Sequence, residues 1–160
     1  MKTLIVVRHG KSPQVDYVFS DLQRHLNARG YEEAGKAAEW CRDQGYLPEL
    51  LISSSAIRAF STALVFAQYL GHAPGAIIMR DEIYDASERT LLYLLQSLKE
   101  TADTIAIFGH NPGFTEIVRT LAPGKISHMV TAGVAVLRFD AAEWSAIKPD
   151  SGMLIADNMG

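Results

Sequence analysis

Short apolar runs alternate with helical patterns along most of the chain. The first run, residues 3–8, is rich in Val and Ile and has the continuous apolar character of a strand buried on both faces. A helical pattern follows from Asn27 to Gly45, with Asn27 suited to cap the helix and Gly45 to end it. This alternation predicts an α/β fold of three layers, in which helices cover both faces of a mostly parallel sheet.

The same alternation continues toward the C-terminus. It predicts strands at Leu50–Ser53, Ile77–Met79, Thr104–Phe108, Val134–Phe139 and Gly152–Ala156, and helices at Ala56–Leu70, Glu88–Leu98 and Pro112–Leu121. Ser87 is a suitable cap for the third helix, and residues 11–25 read as polar and irregular. Because no repeat, low-complexity tract or linker interrupts the 160 residues, we expect a single domain over residues 1–160.

Charge and hydropathy exclude several classes of protein. The formal net charge is -3, whereas a dedicated nucleic-acid-binding protein usually carries a basic excess. No stretch approaches the roughly 20 apolar residues that span a bilayer, and the single Cys41 has no partner for an intramolecular disulfide. We therefore expect a cytoplasmic protein that binds neither nucleic acid nor membrane.

Two histidines and two arginines lie where the predicted strands end. Arg8 and His9 end the first strand, His110 follows the strand at 104–108, and Arg58 lies in the first turn of the helix after the second strand. The carboxyl ends of parallel strands meet at one edge of an open α/β sheet, where ligands bind. An imidazole is a nucleophile for phosphorus and guanidinium groups hold phosphoryl oxygens, so this set suits phosphoryl transfer.

Three segments carry a family resemblance. Leu4 to Gly10 is similar to the opening motif of the histidine phosphatase (phosphoglycerate mutase-like) superfamily, and residues 54–63 resemble its S-x-x-x-R-A-x-x-T-A motif. Phe108 to Gly113 resembles the third motif. The small size, the Gly-His-Asn-Pro sequence and the Asp21-x-x-Arg24-x-Leu26-x-x-x-Gly30 segment resemble the SixA-type phosphohistidine phosphatase branch. The resemblance spans roughly residues 3–138 and implies a phosphoglycerate mutase-like α/β/α fold.

The resemblance also implies how the site would work. His9 would be the nucleophile and become phosphorylated, in a reaction that needs neither metal nor cofactor. Gly10 would allow close backbone approach, and the backbone amide of Asn111 would face the phosphate. The phosphate-binding residues implied are Arg8, Gly10, Arg58, His110 and Asn111. No group of His, Cys and Asp has the spacing of metal ligands.

Two further side chains are open to two interpretations each. Glu82 follows the third strand near the position of the general acid in larger members of the superfamily, but it also suits a surface charge. Arg24 is suited to contact the substrate or to pair with Asp21 on the surface.

Three functions remain open for such a site. The first is a phosphatase of phosphohistidine on a protein, such as a phosphotransfer domain or a phosphocarrier; the short connections leave little chain for a lid, which favours an open pocket. The second is a phosphatase of a small phosphorylated molecule, which would need an acid such as Glu82 to protonate an alkoxide. The third is a catalytically silent module that binds phosphate.

Overall fold

Six strands form one mixed sheet in the computed structural model, which describes residues 1–13 and 20–160. The strands are β1 (Lys2–Arg8), β2 (Leu50–Ser53), β3 (Ile78–Met79), β4 (Thr104–Gly109), β5 (Val134–Phe139) and β6 (Gly152–Asp157), and their order in the sheet is β3-β2-β4-β1-β5-β6. The pairs β1–β4, β2–β4 and β2–β3 are parallel, whereas β5 runs antiparallel to both of its neighbours. The prediction of a mostly parallel sheet is confirmed.

Helices cover both faces of this sheet. They are α1 (Ala28–Gln44), α2 (Ile57–Leu70), α3 (Glu88–Gln96) and α4 (Gly113–Leu121). Successive side chains of β1 point to opposite faces: Leu4 and Val6 pack with residues of α3 and α4, whereas Ile5 and Val7 pack with residues of α1 and α2. β1 is therefore buried on both sides, and the three-layer prediction is confirmed.

The caps of two helices match their sequence prediction. The side chain of Asn27 accepts a hydrogen bond from the amide of Gly30, and Gly45 ends α1 in the left-handed conformation with φ of 80°. The Ser87 side chain likewise accepts from the amide of Thr90 at the start of α3. These ends were predictable because capping depends on residues only a few positions apart.

Some boundaries differ from those predicted. Strand β3 begins at Ile78, because the amide of Ile77 instead closes a 3₁₀ turn on the carbonyl of Pro74. Helix α3 ends at Gln96. The amide of Ser97 is shared between the carbonyls of Tyr93 and Leu94, and the amide of Leu98 bonds the carbonyl three residues back, which tightens the chain. Of the segment predicted to be irregular, residues 14–19 lie outside the described residues, and Asp21–Gln23 form a short 3₁₀ helix. Within the described part of the chain, no helix is long and apolar enough to cross a membrane.

Candidate active site

The register between β1 and β4 brings the two predicted histidines together. Arg8 lies opposite Gly109 in this parallel pair, and the amide of His9 donates to the carbonyl of Gly109 at 3.0 Å. His9 and His110 are thus the next residues beyond the ends of adjacent central strands. Their ring centroids lie 5.3 Å apart, and each residue is only 8% exposed.

The loop after His9 is held against two helices. The amide of Gly10 donates to Thr62 Oγ1 at 3.1 Å, and the Thr62 hydroxyl donates to the carbonyl of Arg58 within α2. A Cβ on Gly10 would lie 2.4 Å from the carbonyl oxygen of Gly30 in α1. The close approach expected at Gly10 is therefore made to α1, and it fixes where His9 stands relative to both helices.

His9 has a defined tautomer. Its Nδ1 lies 2.7 Å from the carbonyl oxygen of Gly10, and because a carbonyl can only accept, Nδ1 carries the proton. The pKa of His9 is lowered to about 4, chiefly by burial and also by the positive charges of Arg58, Arg8 and Arg24, against the opposing effect of the Gly10 hydrogen bond. At neutral pH the ring is uncharged, and Nε2 carries a lone pair that can attack an electrophile.

His110 is held on its other side by a serine. Its Nε2 lies 2.8 Å from Ser54 Oγ, and that oxygen also accepts from the amide of Ala56 at the start of α2. Burial lowers the pKa of His110 to about 3, assisted by the charges of His9 and Arg58, so this ring is also neutral at neutral pH. When the Ser54 hydroxyl donates to Nε2, Nδ1–H is free to donate to a ligand.

Three buried nitrogens around His9 have no hydrogen-bond partner. Among the described residues, the buried side-chain polar atoms without a partner are Arg8 Nε, Arg58 Nε and His110 Nδ1. Leaving a buried donor unpaired costs about 1–3 kcal/mol. The two arginine nitrogens are donors, and so is His110 Nδ1 when Ser54 donates to Nε2, so the set suits an anion with several acceptor oxygens. They belong to the residues predicted to bind phosphate.

Asn111 braces the loop that follows β4. Its Nδ2 donates to the carbonyl of Met129 at 2.8 Å, and its Oδ1 accepts from the amide and hydroxyl of Thr115 in α4. Nη1 of Arg8 donates to the same Met129 carbonyl at 3.1 Å. The side chain of Asn111 thus ties α4 to the segment that orients Arg8, while the role predicted for its backbone amide stays a prediction.

The candidate acid Glu82 lies in an exposed ion pair. Its Oε1 is 2.7 Å from Arg80 Nε, and half of its side chain is exposed. The carboxylate that contacts the buried Arg58 is Asp21, in the short 3₁₀ helix before α1. The role of Glu82 as an acid stays a prediction, and this pairing is the arrangement of a surface charge.

Asp21 joins several elements at the edge of the site. It accepts from Arg58 Nη2 at 3.1 Å, from Arg24 Nε at 2.9 Å and from the hydroxyl of Tyr84. Arg24 therefore forms the ion pair with Asp21 that was one of its two sequence interpretations. Contact between Arg24 and the substrate stays a prediction. Sequence reasoning missed the roles of Asp21 and Tyr84 at this site. The motif around Asp21 was a signal for the first, but no local sequence feature marks Tyr84. The ring of Tyr84 contacts the ring of His110 edge-on, with centroids 5.6 Å apart.

A family model matches more than half of the chain. Residues 4–86 match the model of the histidine phosphatase superfamily (branch 1). The chain belongs to this superfamily. An uncharacterised protein of Mycobacterium tuberculosis is 29% identical over 163 residues, with 93% of this chain and 96% of the relative covered.

Solved structures extend the similarity over almost the full chain. A protein of Agrobacterium tumefaciens named as a phosphohistidine phosphatase, SixA, has a TM-score of 0.82 at 25% identity, covering 98% of this chain and 96% of its own. The protein histidine phosphatase SixA complexed with tungstate has a TM-score of 0.80 at 22% identity, covering 97% and 95%. The resemblance to the SixA-type branch is confirmed, and the superfamily and its neighbours support a phosphatase that acts on a phosphorylated substrate.

The described residues form no metal centre. Within residues 1–13 and 20–160, no group of three or more His, Cys, Asp and Glu side chains could hold a metal ion. The donors that surround His9 are instead guanidinium and imidazole nitrogens, which suit an anion.

Proposed function

We propose that this protein is a phosphatase that removes the phosphoryl group from phosphohistidine on a protein, through a phosphorylated His9. The observation that carries the proposal is the set of three unpartnered buried donors, on Arg8, Arg58 and His110, around a histidine with a free Nε2. A phosphoryl group has three non-bridging oxygens to accept from such donors, and its phosphorus is the electrophile that Nε2 requires.

The reaction takes place in two displacements on phosphorus. In the first, the lone pair of His9 Nε2 forms a bond to phosphorus while the bond from phosphorus to the substrate nitrogen breaks, and that nitrogen takes a proton from solvent. In the second, water attacks phosphorus, the bond to Nε2 breaks, and the proton of the water passes to solvent as phosphate leaves. Gly10 stabilises the phosphorylated ring, because its carbonyl keeps accepting from Nδ1–H when the ring gains positive charge.

The acid chemistry of the site favours a nitrogen leaving group. The Tyr84 hydrogen bond and the charge of Arg58 hold the pKa of Asp21 at about 2, so this carboxylate has no proton to give at neutral pH. Glu82 is paired with Arg80 at the surface. An alkoxide leaving group needs a general acid, worth about 10²–10⁴-fold in rate, whereas an imidazole nitrogen is basic enough to take a proton from water.

Short connections support a substrate carried on a protein. The chain between β2 and β3 contains α2 and a single 3₁₀ turn, and that between β3 and α3 contains another. A closed lid needs more chain than these segments offer. A site that these segments leave uncovered suits a phosphorylated side chain that is presented on the surface of a phosphotransfer domain or phosphocarrier.

A comparison of leaving groups tests this proposal. We expect the purified protein, in the presence of EDTA, to cleave a phosphohistidine-containing protein with a kcat/KM at least about 100-fold above that for glycerol 2-phosphate, because only the alkyl ester needs an acid. Similar or faster cleavage of the ester would instead support a small-molecule phosphatase and return Glu82 to the role of acid. Phosphate binding without turnover of either substrate would support the silent binding module.

A matched pair of histidine variants tests the covalent route in the same assay. His9→Ala removes the nucleophile, and we expect it to lose turnover and to accumulate no phosphorylated protein. His72→Ala serves as the control, because His72 follows the far end of α2 and contacts the carbonyl of Pro48. Activity of His9→Ala above about a tenth of that of the parent protein would rule out the covalent route.

A further inference from the structure

Arg58 is the most deeply buried of the arginines around His9, and a single residue accepts hydrogen bonds from both terminal nitrogens of its guanidinium. Arg58 is 5% exposed, Nη1 donates to the backbone carbonyl of Asp21 at 2.6 Å, and Nη2 donates to Asp21 Oδ2 at 3.1 Å. Both terminal nitrogens therefore face Asp21. An arginine has five N–H donors in a rigid fork, so this contact determines which donors remain for a ligand.

Two of the free donors of Arg58 lie on the side edge of the fork. Nε has no hydrogen-bond partner among the described residues, and Nη2 has a second N–H on the same edge as Nε. Two parallel N–H groups on one edge are the arrangement that binds two oxygens of a phosphoryl group. If the guanidinium turned about its last torsions, this edge would no longer face the same direction.

Asp21 is itself held by two further donors. The hydroxyl of Tyr84 donates to Oδ2 and Arg24 Nε donates to Oδ1 at 2.9 Å. The carboxylate thus receives hydrogen bonds from α2, from the segment before α3 and from the residue that follows its own 3₁₀ helix. It stays ionised, since these donors hold the pKa of Asp21 at about 2. An exposed aspartate with three donors is fixed in position in spite of its exposure.

We infer that Asp21 is a positioning residue, which holds the end of the Arg58 guanidinium so that its Nε edge is presented to the phosphoryl group. This inference rests on the proposed function, because it assigns the phosphoryl group to the unpartnered donors. The opposite arrangement is also chemically sensible: the carboxylate would compete with phosphate for Arg58 and would have to be displaced. The two arrangements predict changes of opposite sign when the charge of Asp21 is removed.

Binding of inorganic phosphate, measured by calorimetry, separates these arrangements. We expect Asp21→Asn to weaken phosphate binding roughly 10-fold, since only the Nη1 bond to the backbone carbonyl is then sure to remain and the ligand itself must order the rest of the fork. Asp81→Asn is the matched control, because Asp81 is also an exposed first residue of a 3₁₀ helix and its change removes the same charge; we expect it to bind phosphate like the parent protein. Equal or tighter binding by Asp21→Asn would overturn the inference.

A double-mutant cycle gives a readout that general destabilisation would not move. Lysine has no fork to orient, so in an Arg58→Lys background we expect Asp21→Asn to change phosphate affinity less than 2-fold. A full 10-fold effect in that background would show that Asp21 acts elsewhere and would overturn the inference.

Tyr84→Phe is a second variant, in case Asp21→Asn folds poorly. It leaves Asp21 bound to Arg58 and Arg24, and we expect it to weaken phosphate binding about 2–3-fold. Unchanged binding by Tyr84→Phe would count against the inference.

The parent protein distinguishes failure of this inference from failure of the proposed function. A parent protein that neither binds phosphate nor cleaves phosphohistidine would overturn the proposed function. A parent protein that does both, alongside an Asp21→Asn variant with unchanged phosphate affinity, would overturn only the role of Asp21.

Discussion

The reactivity expected of His9 comes from its neighbours and not from the residue type. A free imidazole has a pKa near 6.5 and two tautomers. Here the Gly10 carbonyl selects the tautomer that leaves Nε2 unprotonated, and burial together with nearby arginines lowers the pKa to about 4. The nucleophile is therefore kept uncharged over the whole range in which most proteins are stable.

This lowered pKa can be observed directly. We expect an NMR titration of the ring protons to place the midpoint of His9 near pH 4 and not near 6.5, with the signal assigned by its loss in His9→Ala. The uncharged form is the nucleophile, so kcat/KM should hold from pH 8 down to about pH 5 and fall only as the pH approaches 4. A midpoint above pH 6 would contradict the burial argument.

The same shift has a consequence for stability. The pKa of His9 is lower in the folded chain than in the unfolded chain, so the unfolded state binds more protons between about pH 4 and 6.5. His9 therefore reduces the free energy of unfolding as the pH falls through this range. His110, whose pKa is lowered mainly by burial, acts in the same direction.

At the scale of elements, the residues that directly follow His9 pack against α1 through two glycines, Gly10 and Gly30. A Cβ on Gly10 would lie 2.4 Å from the Gly30 oxygen, and a Cβ on Gly30 would lie 2.1 Å from the carbonyl oxygen of Lys11. Real side chains do not approach so closely, so α1 packs against the loop only because both positions lack a Cβ. The helix start and the His9 loop are thus positioned by one contact.

Substitution of Gly10 tests this coupling. We expect Gly10→Ala to lower the free energy of unfolding by about 1–3 kcal/mol, as overpacking does, and to lower kcat/KM about 100-fold because His9 shifts. Gly75→Ala is the control, since a Cβ there would meet nothing within 4 Å. Chemical denaturation and steady-state kinetics measure the two effects; a Gly10→Ala protein with parental activity would show that the contact does not position His9.

At the scale of the whole molecule, the site is assembled from distant parts of the chain. His9 follows β1, Arg58 lies in the first turn of α2 and His110 follows β4, and β1 pairs directly with β4 in the centre of the sheet. The three unpartnered donors are brought together only when the sheet is complete. A phosphate that binds these donors therefore binds the folded state and not the unfolded chain.

Inorganic phosphate should accordingly stabilise the fold. At 100 times its Kd, binding adds about 2.7 kcal/mol, which for a chain of this size raises Tm by about 5–10 °C. We expect Arg58→Ala to lose most of this phosphate-dependent rise, whereas Arg89→Ala, on the exposed surface of α3, keeps it. Sodium chloride of equal ionic strength controls for screening, and a rise of the same size in both variants would contradict the site.

Much of the fold was predictable because its signals are local. Helix caps such as Asn27 and Ser87 depend on a few consecutive residues, and the apolar run of β1 follows from its burial on both faces. Boundaries were less predictable: Ile77 is as apolar as its neighbours, yet its amide closes a 3₁₀ turn instead of entering β3. The competing hydrogen bond decided that boundary, and sequence pattern does not reveal it.

By itself, the sequence determined the order of strands and helices, the positions of His9, Arg58 and His110 at strand and helix ends, and the superfamily to which these motifs belong. Only the tertiary structure decided which donors remain unpaired, which tautomer His9 adopts and which carboxylate holds Arg58. Asp21 and Arg58 are 37 positions apart, and Asp21 and Tyr84 are 63 apart. Hydrogen-bond partners at such separations follow from the packing of the sheet and its helices, and no local sequence pattern encodes them.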